Sequence, residues 1–233
     1  NLARATKGPR IGGFVNAEEA YLAVQAKLPL WDPFIASDRF GQVWLAAESS
    51  GVVYVLRRDP KGIWQQAGKP FGTEGGHWRP SLALLPCGHI IAAATYADSM
   101  VLARSEDHGT TWEDISMAGQ IGEDLQNGTI WCNPFGHVCA CGWDASDNQV
   151  KFHLSTAADL ARDTLTAPPS AEVDTLDVCE AIPGEQDPPI RSSVCQQPDG
   201  ASLVAVGVDG TVQLYRVRDF SKALADGEFE LVV

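Results

Sequence analysis

The stretch that decides the fold runs Ser105-Glu106-Asp107-His108-Gly109-Thr110-Thr111-Trp112. It joins two apolar segments of strand-like composition, so it predicts a tight turn between two antiparallel strands. Gly109 can adopt the positive φ that such a turn requires. Asp107 and Ser105 can accept hydrogen bonds from turn N–H groups that have no ladder partner. Trp112 is expected to bury its ring against a neighbouring hairpin.

A turn glycine that separates two apolar segments occurs four times, at Gly41, Gly88, Gly136 and Gly200. The intervals between successive glycines are 47, 48 and 64 residues. Each copy is followed by a second potential hairpin, in residues 52–64, 100–112, 150–166 and 211–232. A period of about 45 to 50 residues built from short strands is typical of propeller blades.

The pattern S-x-D-x-G-x-T-W of residues 105–112 resembles the Asp-box, or BNR repeat, of sialidase-like β-propellers. The resemblance and the repeats together predict an all-β chain, a β-propeller of four, or alternatively five, four-stranded antiparallel blades. Residues 31–233 would form the propeller, and residues 1–30 either a strand that closes the ring or a short helix. The resemblance gives a structural role to five residues of the turn: Ser105, Asp107, Gly109, Thr111 and Trp112.

Composition excludes some classes of partner. The chain has 233 residues and a formal net charge of −13, which disfavours nucleic acid, because phosphates must be neutralised by Lys and Arg. No apolar run approaches the 18 or so residues of a membrane span, and no signal segment is visible. We therefore expect a soluble protein with no membrane span, although its location is not fixed by these features.

The six cysteines lack the paired spacing of metal ligands, so neither a metal nor another cofactor is predicted. Most fall on or beside the predicted inner strands, where thiols usually behave as small apolar groups. Reduced cysteines and cytosolic synthesis are favoured, with a set of disulfides as the alternative. The cysteines stand at positions 87, 132, 139, 141, 179 and 195.

A ligand site is expected at the funnel face of the propeller, opposite the face that carries the 105–112 turn. Asp32, Arg79, Thr129 and Arg191 fall at the mouths of the predicted inner strands. Two guanidinium groups facing one funnel would suit a bidentate grip on a carboxylate. Loops between the second and third strands add further candidates, and so does an acidic, proline-rich insertion at 167–190. The candidate ligand-binding residues are Arg79, Arg191, Trp78, Tyr96 and Trp143.

Two kinds of hydrolase fit parts of this pattern. A sialidase-like site would use Arg79 and Arg191, with Arg10 as a faint third match, but its remaining catalytic residues are not identifiable. The pair Asp32-Pro33 is similar to the first inner strand of five-bladed arabinanase-like propellers, where it supplies a catalytic carboxylate. Glycoside hydrolysis needs two carboxyl groups. Asp32 could pair with Asp98, Asp144 or Glu185.

The third interpretation is a non-catalytic recognition or assembly module that binds a protein or glycan partner through the funnel face. Such a module could belong to a larger secreted or virion-associated particle, and a homo-oligomer is left open. Because the sialidase set is incomplete, the sequence alone favours this interpretation over a glycoside hydrolase.

Overall fold

The computed structural model describes residues 29–38, 40–116, 121–133, 136–144, 146, 149–155, 173–180, 191–197, 201–208, 211–217 and 230–231, and none of them is helical. Within these described residues, sixteen strands form four antiparallel sheets, which we call blades 1 to 4. Blade 1 contains β1 (Trp31–Ser37), β2 (Val43–Ser49), β3 (Val52–Arg58) and β4 (Trp64–Gly68). Blade 2 contains β5 (His77–Leu84), β6 (Ile90–Tyr96), β7 (Ser99–Ser105) and β8 (Glu113–Asp114).

Blade 3 contains β9 (Leu125–Cys132), β10 (Val138–Asp144), β11 (Gln149–Ser155) and β12 (Val173–Glu180). Blade 4 contains β13 (Arg191–Gln196), β14 (Ser202–Val208), β15 (Thr211–Val217) and β16 (Glu230–Leu231). Within every blade the strands pair in chain order. The first strands, β1, β5, β9 and β13, are the inner strands, and residues from all four line one cavity of about 280 Å³.

The turn between the first and second strands has the same hydrogen bond in every blade. The backbone N–H of the residue before the turn donates to the carbonyl oxygen four residues later, as in Asp38 to Gln42 (3.0 Å) and Leu85 to His89 (2.9 Å). Glycine is the fourth residue of this turn, and its φ is 77° at Gly41, 96° at Gly88 and 87° at Gly136. The repeat expected from the sequence is therefore a structural repeat.

The turn at 105–112 is held by its own side chains. Asp107 accepts hydrogen bonds from the Thr111 N–H (2.8 Å), the Thr111 hydroxyl (2.7 Å) and the Ser105 hydroxyl (2.9 Å). Ser105 in turn accepts from the Gly109 N–H at 2.7 Å. The Trp112 indole N–H donates to the Gly109 carbonyl at 2.9 Å, and the half-buried ring packs against blade 1.

Most of the apolar core lies in the seams between successive blades, and one further cluster lies within blade 1 around Trp64. Trp44 and Val55 of blade 1 pack with Leu82 and Ile90 of blade 2. A second cluster joins blades 2 and 3, and a third, which includes Phe152, joins blades 3 and 4. Burial between sheets, rather than within one, is what stabilises a blade that could not fold alone.

Blade 3 differs from the expectation. Its fourth strand is Val173–Glu180, so the predicted hairpin 150–166 ends too early, and the predicted loop insertion 167–190 contains a strand. Val173, Thr175, Leu176 and Val178 supply strand-forming residues there, but the acids between them favoured a loop in the sequence. The N-terminal prediction for residues 1–30 falls almost wholly outside the described residues.

Five cysteines have described side chains, and all five carry free thiols: Cys87, Cys132, Cys139, Cys141 and Cys195. Complete burial raises the pKa of Cys139, and the nearby Cys132 raises it further. Among the described residues, no helix is long and apolar enough to cross a membrane.

Candidate functional site

The inner strands of blades 1 to 3 carry the same β-bulge. In each, two residues of the inner strand lie opposite a single residue of the second strand. A bulge of this kind bends the strand and re-aims side chains, and bulges are common beside active sites. The bulged pairs are Asp32-Pro33, Arg79-Pro80 and Asn127-Gly128, and the residues opposite them are Ala47, Ala94 and Gly142.

The first residue of each bulge has a left-handed backbone. The φ angle is 46° at Asp32, 50° at Arg79 and 54° at Asn127. This region disfavours side chains other than glycine, because the Cβ atom crowds the backbone. Three blades therefore keep the same strained conformation on three different polar residues. Strain of this kind is often found at functional sites.

The three bulges meet around one cavity of about 170 Å³, which we call the funnel cavity. Ser192 of blade 4 completes its lining, so all four inner strands contribute. Among the lining residues, Asp32 is the one acid and Arg79 the one base. The full lining is Asp32, Pro33, Phe34, Arg79, Pro80, Asn127, Gly128, Thr129 and Ser192.

Hydrogen bonds between blades fix the positions of these strands. The Asn127 N–H donates to the Thr95 hydroxyl of blade 2 at 3.0 Å. The Thr129 hydroxyl donates to the Ser192 carbonyl at 2.6 Å, and the Ser192 hydroxyl donates to the Cys141 carbonyl at 3.0 Å. These bonds tie the second blade to the third and the third to the fourth, so the cavity has a preformed wall.

Aromatic residues stand next to the bulges in the chain and at the ends of the neighbouring second strands. Trp78 is 51% exposed and Trp31, one residue before Asp32, is 62% exposed. Tyr96 is 47% exposed and stacks on His77, with ring centroids 4.8 Å apart. Trp143 is half-buried and packs against the core between blades 3 and 4. Among the predicted aromatic residues, Trp78 and Tyr96 are thus open to a ligand, while Trp143 is partly taken up by packing.

Of the three other predicted carboxylates, Asp98 and Asp144 do not line the cavity, and Glu185 lies outside the described residues. Asp98 lies in the exposed turn between β6 and β7. Asp144 ends β10, is 5% exposed and forms an ion pair with Lys151 at 2.8 Å. Burial raises the pKa of Asp144, but hydrogen bonds from Lys151 and Ser146 outweigh this effect, and the pKa lies below its usual value. Asp144 is therefore a poor proton donor in this structure.

Asp32 and Arg79, both predicted from the sequence as site residues, line the same cavity, and so do Asn127 and Ser192, which the sequence prediction did not include. A signal existed, since Asp32, Arg79 and Asn127 each stand nine residues before the turn glycine of their blade. Arg191 also stands nine residues before the turn glycine of its blade, Gly200, and it pairs with Gly207 of the second strand. The structure does not describe the side chain of Arg191. Thr129, the residue predicted for blade 3, lies two residues after Asn127 on β9.

A larger cleft, of about 470 Å³, lies at the opposite end of blade 1. It is formed by two turns of a single blade and includes Phe40, Arg58 and Lys61. Asp59, its one acid, is held within its own turn by a hydrogen bond from the Ile63 N–H (2.8 Å). The smaller funnel cavity, built by four blades, is the better candidate. No group of three or more His, Cys, Asp or Glu side chains in the described part of the chain could hold a metal ion.

No family model matches the chain, and no curated protein matches it in sequence. Solved structures do match in fold. They include a GH43 β-1,3-galactosidase, with 10% identity and a TM-score of 0.55 over 84% of this chain and 44% of the other. An exo-β-1,3-galactanase from Phanerochaete chrysosporium has 9% identity and a TM-score of 0.57 over 85% and 48%. An endo-arabinase from Bacteroides thetaiotaomicron has 15% identity and a TM-score of 0.53 over 81% and 75%.

These likenesses bear on the fold. The chain has four-stranded antiparallel sheets, as the β-propellers that it matches do. It spans less than half the length of the first structure named. None of the three named structures is a sialidase, so they support the propeller but not the sialidase-like resemblance of residues 105–112.

Proposed function

We propose that this chain is a glycoside hydrolase propeller that binds its glycan in the funnel cavity and uses Asp32 as a reacting carboxylate. One observation carries the proposal: Asp32 is held in a strained, left-handed bulge at a cavity to which four blades contribute. The pyrrolidine ring of Pro33 restricts the backbone of Asp32 further. The fold, shared with galactan- and arabinan-degrading enzymes, supports the same conclusion.

The chemistry assigns different tasks to the polar groups around the cavity. An ionised Asp32 would act as base toward water or as nucleophile toward the anomeric carbon. Arg79, Asn127 and Ser192 would hydrogen-bond the hydroxyl groups of the sugar and fix its orientation. The second carboxyl group, which must hold a proton, is not among the described lining residues. Glu185 and Asp98 remain candidates for it, and the ion pair to Lys151 disfavours Asp144.

Turnover of aryl arabinosides and galactosides, and of arabinan and β-1,3-galactan, tests this proposal. Asp32→Asn should lower kcat by at least about 10³-fold with little change in melting temperature, because it removes the charge and keeps the shape. Asp59→Asn at the opposite face is the matched control and should retain full activity. Activity that survives Asp32→Asn would remove Asp32 from the reaction.

The second candidate function is non-catalytic glycan recognition through the same cavity. It is favoured by the single acid among the described lining residues, since hydrolysis needs two. In that case arabino- or galacto-oligosaccharides would bind without being cleaved. Arg79→Ala would weaken their binding, while Asp32→Asn would change it only modestly. The comparisons give no support to a particle-assembly role.

A further inference from the structure

Two tryptophans occupy the same place in neighbouring blades. Trp31 and Trp78 each stand ten residues before the turn glycine of their blade and directly before the left-handed residue of the bulge. Trp31 pairs with Glu48 of β2, and Trp78 pairs with Thr95 at the equivalent position of β6. The repeat thus places the two tryptophans at equivalent positions, each directly before a residue that lines the funnel cavity.

Their exposure separates them from the other described tryptophans. Trp44, Trp64 and Trp131 are almost fully buried, and Trp112 and Trp143 are half-buried within seams. Trp31 and Trp78 leave more than half of their surface in water. Two large apolar rings that stay exposed beside a polar cavity are typical of a binding surface, because burying them would otherwise be favourable.

The distance between the two rings restricts what they could bind together. Stacked sheets are about 10 Å apart, so a spacing of about that size is expected between equivalent backbone positions in adjacent blades. A single sugar ring is too short to lie on both. A chain of sugar residues can place one ring on each tryptophan and a third in the cavity.

We propose that Trp31 and Trp78 are stacking subsites for successive residues of an oligosaccharide, and that the substrate is a polymer rather than a short glycoside. The flat indole faces would pack against the C–H faces of the sugar rings, while Arg79 and Asn127 bind hydroxyl groups. The inference rests on the proposed glycan site. It does not require that the glycan be cleaved.

Binding and turnover of two ladders of defined length test it: arabino-oligosaccharides and β-1,3-galacto-oligosaccharides of one to six units. Isothermal titration gives affinity, and product analysis gives rates. Trp31→Ala and Trp78→Ala should each leave the affinity for the single-sugar ligand within about two-fold of the wild-type value. Each should weaken ligands of three or more units by about ten-fold, as expected for loss of one aromatic stacking contact. Phe40→Ala, an exposed ring at the opposite face, is the control.

The outcomes separate this inference from the proposed function. Length-dependent binding that is lost in the tryptophan variants, without turnover, would retain the inference and remove the hydrolase. Turnover that is unchanged in both tryptophan variants would retain the hydrolase and remove the inference. A loss that is equal for all lengths would overturn the inference, because the tryptophans would then act on the cavity itself. So would the absence of binding to both ladders, which would point to a protein partner for these rings.

Discussion

At the scale of single residues, Asp107 shows how one carboxylate holds a turn. The hydrogen bond from the Thr111 N–H is the largest influence on its pKa and the Thr111 hydroxyl adds to it, and together they lower the pKa from 3.8 to about 2. A folded-state pKa below the unfolded value means that ionised Asp107 stabilises the fold above about pH 4. This contribution is lost as the pH falls through 4 toward 2.

We therefore expect Asp107→Asn to lower the melting temperature at pH 7, where the charged form makes the stronger hydrogen bonds. The difference from the wild type should shrink as the pH falls from 4 to 2. Asp98→Asn, in an exposed turn, is the control and should change the melting temperature little at any pH. A difference for Asp107→Asn that stays constant down to pH 2 would contradict the assigned cause.

These two acids also mark what a sequence can and cannot predict. The bonds of Asp107 are local, because Ser105, Gly109 and Thr111 lie within four residues of it, so the sequence pattern predicts the turn. The left-handed φ of Asp32 depends on a bulge against β2, whose register is set by pairing along the whole hairpin. Asp32-Pro33 therefore indicated a residue that lines the cavity without indicating its conformation.

At the scale of elements, β11 is joined to the loop before β9 by His153. Its Nδ1 accepts a hydrogen bond from the Gly122 N–H at 3.1 Å, which requires a neutral imidazole. Burial lowers the pKa of His153 to about 4, and the positive charge of Lys151 adds to this effect while Asp144 opposes it. The fold thus holds this histidine without a proton at neutral pH.

We expect the His153 imidazole to titrate near pH 4 in the folded protein, as measured by NMR. Because its folded pKa lies below the ordinary value of 6.5, stability is complete above about pH 6.5 and declines as the pH falls toward 4. This window lies above the one assigned to Asp107, so an unfolding curve measured against pH should separate the two. A folded-state pKa near 6.5 would show that His153 does not accept this hydrogen bond.

The elements themselves were predicted unevenly, for physical reasons. The turn glycines separate short apolar strands, so blades 1 and 2 follow from the sequence almost strand by strand. The sequence predicted a loop at Val173–Glu180 because the acidic residues in this segment disfavour a strand, although strand-forming residues lie between them. The repeated bulges depend on which residues pair across the sheet, yet their constant distance from the turn glycines was visible in the sequence.

At the scale of the whole molecule, all four inner strands line one cavity. Those of blades 1 to 3 contribute a bulge, and that of blade 4 contributes Ser192 near its first residue. The residues there differ from blade to blade, an acid in the first, a base in the second and an amide in the third, on an otherwise repeated backbone. The backbone at these positions is therefore repeated from blade to blade, whereas the side-chain chemistry differs. This is how function is usually distributed on a repeated fold.

The central claim is that the glycan binds where the three bulges meet. The most direct measurement is a crystal structure of the Asp32→Asn variant with an arabino- or β-1,3-galacto-oligosaccharide that the wild type binds. We predict one sugar ring within hydrogen-bond distance of Arg79 and Asn127, with the chain continuing over Trp31 or Trp78. Saccharide bound instead at the opposite face, beside Phe40 and Lys61, would contradict the claim.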